Sequence, residues 1–93
     1  MPHYELLEEI EKFGRENKIP ILLDDSLEYI TTLLSKVKPR RILEIGTAIG
    51  FSAINFSKYL TEDGRIDTIE IESLRVEQAL ENIQKVGVSD KIR

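Results

Sequence analysis

The sequence predicts an α/β fold in which two leading helices precede a β-α-β-α unit with parallel strands. Three observations carry this. Short, nearly continuous apolar runs near 41–45 and 65–71 alternate with segments whose apolar residues recur at helical spacing, an order that requires crossover connections and a layered architecture. The first run passes directly into a turn holding two glycines, Gly46 and Gly50. Both runs also end in acidic residues, Glu44 in the first and Glu70 in the second.

Residues 4–17 carry Leu6, Leu7, Ile10 and Phe13 at spacings of three and four with glutamates on the other faces, which reads as a helix whose last turn is weakened by Gly14. Pro20 excludes a helix interior, so residues 18–25 read as an extended connector. Asp25-Ser26-Leu27-Glu28 matches a capping box, and a second helix follows from Ser26 to about Lys38, with Leu27, Ile30, Leu34 and Val37 as its stripe and Pro39 as its stop. The run 41–45 has the nearly continuous apolar character of a parallel strand covered on both faces. A third helix spans about 50–60, with Phe51, Phe56 and Tyr59 as core residues. The turn at 61–64 leads to the second strand, 65–71, and a fourth helix, 73–86, offers Val76, Leu80 and Ile83 before a C-terminal cap at Gly87. Lys91-Ile92-Arg93 has the character of a third strand beginning.

With 93 residues the chain forms at most one domain, divided into a leading helical segment (1–38) and the first two strands with their helices (39–93). No internal repeat or low-complexity tract interrupts it. Two strands do not make a stable doubly wound sheet, so the expectation is a fragment of a larger domain. The absence of cysteine excludes disulfides, thiolate metal sites and a cysteine nucleophile. His3 is the sole histidine and lies near the terminus, where fraying is expected. A net charge of −4 gives no general attraction to phosphate backbones, leaving Lys36, Lys38, Arg40 and Arg41 as the one local basic cluster. No apolar run is long enough to span a bilayer, and the N-terminus lacks a basic region followed by an apolar segment. The expected location is cytoplasmic.

The chemistry gathers at the two strand ends. Glycine at Gly46 permits a sharp strand-to-helix turn and close approach of a ligand to bare backbone, while Gly50 closes the turn. Thr47 and Ala48 lie between them, and Ser52 adds a hydroxyl at the start of the next helix, where it also fits a simple cap. Glu44 suits a cationic ligand group and opposes a pyrophosphate, which it would repel by about 1–4 kcal/mol at 4 Å depending on screening. The spacing Gly46-x-x-x-Gly50 also lacks the full G-x-G-x-x-G pattern of dinucleotide sites, since Ala48 stands at its second glycine. Glu70 sits about 20 residues past the turn, where Rossmann-type folds place the carboxylate that binds ribose hydroxyls. Glu72 reads as a solvated helix-start carboxylate. No metal constellation, Ser/His/Asp set or general base is evident, so no catalytic residue is assigned.

Residues 39–52 (PRRILEIGTAIGFS), followed by 64–70 (GRIDTIE), resemble the class I S-adenosylmethionine-dependent O-methyltransferases of the catechol and caffeoyl-CoA type. Within them the sequence looks most like the bacterial branch that includes the tRNA 5-hydroxyuridine methyltransferases. The resemblance covers the whole chain but only about the first half of the family's domain, and so implies the N-terminal half of a Rossmann-like methyltransferase domain. It implies that Glu44 and Gly46 line the methionine end of S-adenosylmethionine, that Ser52 hydrogen-bonds its carboxylate and that Glu70 holds its ribose. It places Leu22 where the family often has a methionine contacting the cofactor, and Phe51 where a tyrosine is usual.

The resemblance further implies a divalent cation, usually magnesium, whose ligands lie beyond Arg93, and an acceptor hydroxyl on a small molecule or on hydroxyuridine in tRNA. The 93 residues alone are expected to be inactive and to form a homo-oligomer through unpaired strand edges. Two other readings stand beside this one. One is a nicotinamide-dependent oxidoreductase with an atypical glycine turn, and the other is a non-catalytic, self-associating fragment.

Overall fold

The computed structural model describes all 93 residues. A short 3-10 turn (Tyr4–Leu6) leads into α1 (Leu7–Glu16), followed by α2 (Asp24–Val37), β1 (Arg41–Ile45), α3 (Phe51–Ser57), β2 (Arg65–Ile69) and α4 (Ser73–Val86). The strands pair in parallel, Arg41 opposite Arg65 through Ile45 opposite Ile69. On the far edge of β2, Ile92 bridges in parallel to Ile66, so the chain is entering a third strand at the position its sequence suggests.

α3 is the centre of the molecule. It packs against α1, α2, α4 and β2, and six of its seven residues, Phe51 and Ala53 to Ser57, are buried. Its buried polar groups are satisfied within the helix, where Asn55 Nδ2 donates to the Phe51 carbonyl and Ser57 Oγ to the Ile54 carbonyl. Ile49, Ile54, Ile66, Val86 and Val88 are fully buried around it. Each such side chain contributes about 1.5–3 kcal/mol relative to exposure.

Several expectations are corrected. α2 begins at Asp24, and no side chain caps it, so the capping box at Asp25 and Glu28 does not form. The start is fixed by Arg15, whose guanidinium donates to the Leu22 carbonyl (3.1 Å) and to Asp24 (3.3 Å), tying the extended connector to α1. In α1, Phe13 turns outward, 44% exposed, and Gly14 faces the core, where an added side chain would sit 3.0 Å from Ile21 and 3.1 Å from Ile49 and require both to shift. Val37 and Leu80 are likewise exposed, and in α4 the buried stripe is Ala79, Ile83 and Val86. The N-terminus is held rather than frayed, since the His3 amide donates to the Val86 carbonyl.

β1 is not covered on both faces. Its burial alternates, with Ile42 and Glu44 turned toward the helices while Leu43 (68% exposed) and Ile45 (74%) face outward beside Ile69 (52%). All four helices leave that second sheet face open. The structured part of β2 also stops at Ile69, leaving Glu70 in the loop beyond it.

Candidate functional site

The chain leaves β1 through a bend that only unusual backbone conformations permit. Gly46 (φ 93) and Gly50 (φ 87) are both left-handed, and so is Ala48 between them (φ 50). For a residue with a side chain that region costs about 1–2 kcal/mol. Ala48 is held there from outside, because its amide donates to Glu70 Oε1 at 2.8 Å. The second acidic strand end thus braces the first glycine bend.

The two glycines do different work. Nothing lies within 4 Å of the position a Gly46 side chain would take, so the bare backbone there fronts open space. Gly50 instead lies against Ala79 of α4, whose Cα would sit 3.5 Å from an added side chain. That is ordinary contact, so what calls for glycine at this position is its left-handed φ of 87.

Over the bend opens a cleft of about 480 Å³, floored by Glu44, Ile45, Gly46, Thr47, Ala48 and Ser52 and walled by Leu22 and its neighbours in the connector before α2, with Ser26 and Ile30 of α2. Six of the eight residues singled out from the sequence therefore meet in one cavity. Gly50 is buried beneath it. Glu70 lies around the corner, lining a second depression of about 350 Å³ with Thr68, Ile69 and the inner face of α4; Thr47 belongs to both walls.

Glu44 is the only ionisable side chain lining the first cleft, and it forms no ion pair. Its carboxylate is held by hydroxyls instead. Ser52 Oγ donates to Oε2 at 2.5 Å and Thr68 Oγ1 donates to Oε1 at 2.7 Å. Burial pushes the Glu44 carboxyl above the ordinary carboxylate value, while these two hydrogen bonds act in the opposite sense. Glu70 is shifted the other way, lowered by the amides of Ala48 and Glu72 that donate to it. An anion without a cation, half-buried at the floor of a cleft, is chemically suited to a positively charged ligand group.

Ser52 is engaged with the floor carboxylate. Its one proton is given to Glu44, so in this arrangement the hydroxyl orients the floor carboxylate rather than pointing a donor into the cleft. Thr68 was not singled out from the sequence. The signal was present in the register, because Thr68 pairs with Glu44 and is the polar residue on the helix-facing side of β2. No group of three His, Cys, Asp or Glu residues of this chain is placed to hold a metal ion. No helix is long and apolar enough to cross a membrane.

A parallel strand ending in a carboxylate, a left-handed glycine bend and a second acidic strand end together define one half of a Rossmann-like nucleotide-cofactor site. Comparison with known proteins specifies which kind. The profile of the O-methyltransferase family matches residues 2–93. A caffeoyl-CoA O-methyltransferase of Populus kitakamiensis is 32% identical over 81 residues, 87% of this chain and 34% of that protein. Among solved structures, the O-methyltransferase TomG of Streptomyces achromogenes, in complex with SAM, superposes with a TM-score of 0.81 at 32% identity, over 96% of this chain and 41% of that one. An O-methyltransferase of Bacillus cereus in complex with SAH gives 0.84 at 26% identity, over 100% of this chain and 43% of that one. The chain belongs to the O-methyltransferase family. It spans between 34% and 43% of the length of these three relatives.

Proposed function

We propose that the chain supplies the methionine-binding half of the cofactor cradle of an S-adenosylmethionine-dependent O-methyltransferase. The observation that carries this is Glu44, an anion fixed by two hydroxyls, unpaired with any cation, at the floor of the cleft over the Gly46 bend. It suits the ammonium of the cofactor's amino acid. Leu22, Gly46, Thr47, Ala48 and Ser52 line that cleft beside it, Gly50 closes the bend, and Glu70, in the neighbouring depression, is the proposed acceptor for ribose hydroxyls. When bound, S-adenosylmethionine supplies an electrophilic methyl on sulfur. The residues of this chain bind and orient it, which is the larger part of catalysis by positioning.

The acceptor is proposed to be a hydroxyl on a small molecule. Methylation of hydroxyuridine in tRNA is the alternative, and the position of the basic residues disfavours it. Arg40 and Arg41 stand where β1 begins, at the opposite end of the strand from the cleft, and Arg40 is paired with Asp63 at 3.1 Å. We further propose a cytoplasmic protein that self-associates through unpaired strand edges.

Calorimetric titration of the protein carrying this chain with S-adenosylhomocysteine and with NADH tests the cofactor. Binding of the first alone is expected. Binding of NADH alone would replace this reading with the oxidoreductase one.

A further inference from the structure

The hydroxyl hydrogen bonds under the glycine bend have only one consistent direction. Thr68 Oγ1 lies 2.7 Å from Glu44 Oε1 and 2.6 Å from Thr47 Oγ1. A threonine hydroxyl has one proton and an ionised carboxylate has none to give, so Thr68 must donate to Glu44. Thr47 must then donate to Thr68. Ser52 closes the pattern by donating to the other carboxylate oxygen. Three hydroxyls thus point their protons, directly or through one another, at a single anion.

Protonated Glu44 breaks this order. It would have to donate to Ser52 or to Thr68, and in the second case Thr68 would turn its proton to Thr47 and Thr47 would turn its own elsewhere. Thr47 is 5% exposed and lines both the cleft over the bend and the depression beside Glu70. The threonine pair therefore connects the floor of one cavity to the wall they share.

We propose that Thr68 is a positioning residue for the cofactor, which fixes the orientation and ionised form of Glu44 and is itself oriented by Thr47. The inference rests on the cofactor reading given above. Thr68 does not line the methionine-side cleft, so its effect there runs through Glu44. No other ionisable side chain lines that cleft. From α3 the group facing Glu44 is the Ser52 hydroxyl, from β2 the Thr68 hydroxyl, and the cleft is otherwise lined by apolar residues of the connector before α2 and by Ser26 and Ile30 of α2.

The experiment uses the protein carrying this chain with Thr68→Val, which keeps the branched shape on the strand and removes the hydroxyl, and Thr68→Ser, which restores a hydroxyl. Two readouts are taken. The first is the pH titration of the Glu44 side-chain carbon by NMR without ligand, and the second is calorimetric affinity for S-adenosylhomocysteine. In Thr68→Val the Glu44 midpoint is expected to move upward and affinity at neutral pH to fall about tenfold, the scale of one hydrogen bond to a charged group. Thr68→Ser should return both to the parent values. A Glu44 midpoint unmoved in Thr68→Val overturns the positioning role, whatever happens to folding stability. Failure of the parent protein to bind S-adenosylhomocysteine would overturn the cofactor reading instead, and the ligand-free titration would still decide the hydroxyl relay.

Discussion

Replacing Glu44 by glutamine keeps the shape of the cleft floor and removes its charge. In the parent both carboxylate oxygens accept, from Ser52 at 2.5 Å and Thr68 at 2.7 Å. Glutamine has one acceptor, so its amide faces one hydroxyl that must reverse, a rearrangement on the scale of one neutral hydrogen bond, about 0.5–1.5 kcal/mol. The larger loss is the attraction to a ligand ammonium. At 4 Å it ranges from about 1 kcal/mol in water to about 4 kcal/mol at an effective dielectric of 20. The cleft is open and Glu44 is only half-buried, which places the loss in the lower part of that range. Glu44→Gln is therefore expected to weaken binding of S-adenosylhomocysteine by about 1–3 kcal/mol, roughly 5- to 150-fold.

Isothermal titration calorimetry at neutral pH measures that loss, and the pH dependence separates it from misfolding. Burial raises the Glu44 carboxyl, so its contribution to ligand-free stability is present below the ordinary value of 4.5 and is lost as pH rises through the raised one. The variant has no such charge to bury, which offsets the cost of the reversed hydroxyl, so its stability at neutral pH should stay within about 1.5 kcal/mol of the parent's. Ligand binding runs the other way, because the parent loses its anion as pH falls through the raised value and the variant does not. An unchanged dissociation constant in Glu44→Gln would refute the electrostatic role.

Glu70→Ala removes the acceptor for the Ala48 and Glu72 amides and should weaken S-adenosylhomocysteine binding roughly tenfold, again by calorimetry. Because Glu70 is lowered, the stability it contributes is present above the ordinary carboxylate value and is lost as pH falls through the lowered one. Thermal melts of parent and variant should converge in acid. Gly50→Ala should cost about 1–2 kcal/mol in denaturant unfolding, since a side chain at φ 87 is strained and faces Ala79. Gly46→Ala carries similar strain at φ 93 but faces open space, so it should lower ligand affinity by more than Gly50→Ala does.

Much of this was legible in the sequence because it depends on local chemistry. The order of elements, the glycine bend, the carboxylate before it and the Gly87 cap all follow from residue types at fixed offsets. What failed were inferences about which neighbour each residue meets. The motif at Asp25 to Glu28 looked like a capping box, but Arg15, nine positions upstream of Asp24, decides where α2 begins. Phe13 outranks Gly14 in any hydrophobic pattern, yet the glycine faces the core because Ile21 and Ile49 need the space. An unbroken Ile-Leu-Glu-Ile run cannot say whether its second face is covered, and the helices of this chain cover only one. Thr68 was invisible for a related reason, since its importance comes from register with Glu44 across the sheet rather than from its own neighbours.

The two acidic strand ends carry opposite shifts, and that asymmetry itself argues for the kind of ligand they receive. Glu70 accepts backbone amides and stays readily ionised at the exposed rim, as suits a group that accepts from neutral hydroxyls. Glu44 is made costly to ionise by burial and is then supported only by hydroxyl dipoles, so a cation arriving in the cleft gains what the protein has left unpaired. A pyrophosphate arriving at the same bend would meet that unpaired anion and no lysine or arginine among the residues lining the cleft. The geometry therefore favours a ligand that is cationic near Gly46 and hydroxyl-bearing near Glu70, a distribution that S-adenosylmethionine has and a nicotinamide dinucleotide lacks.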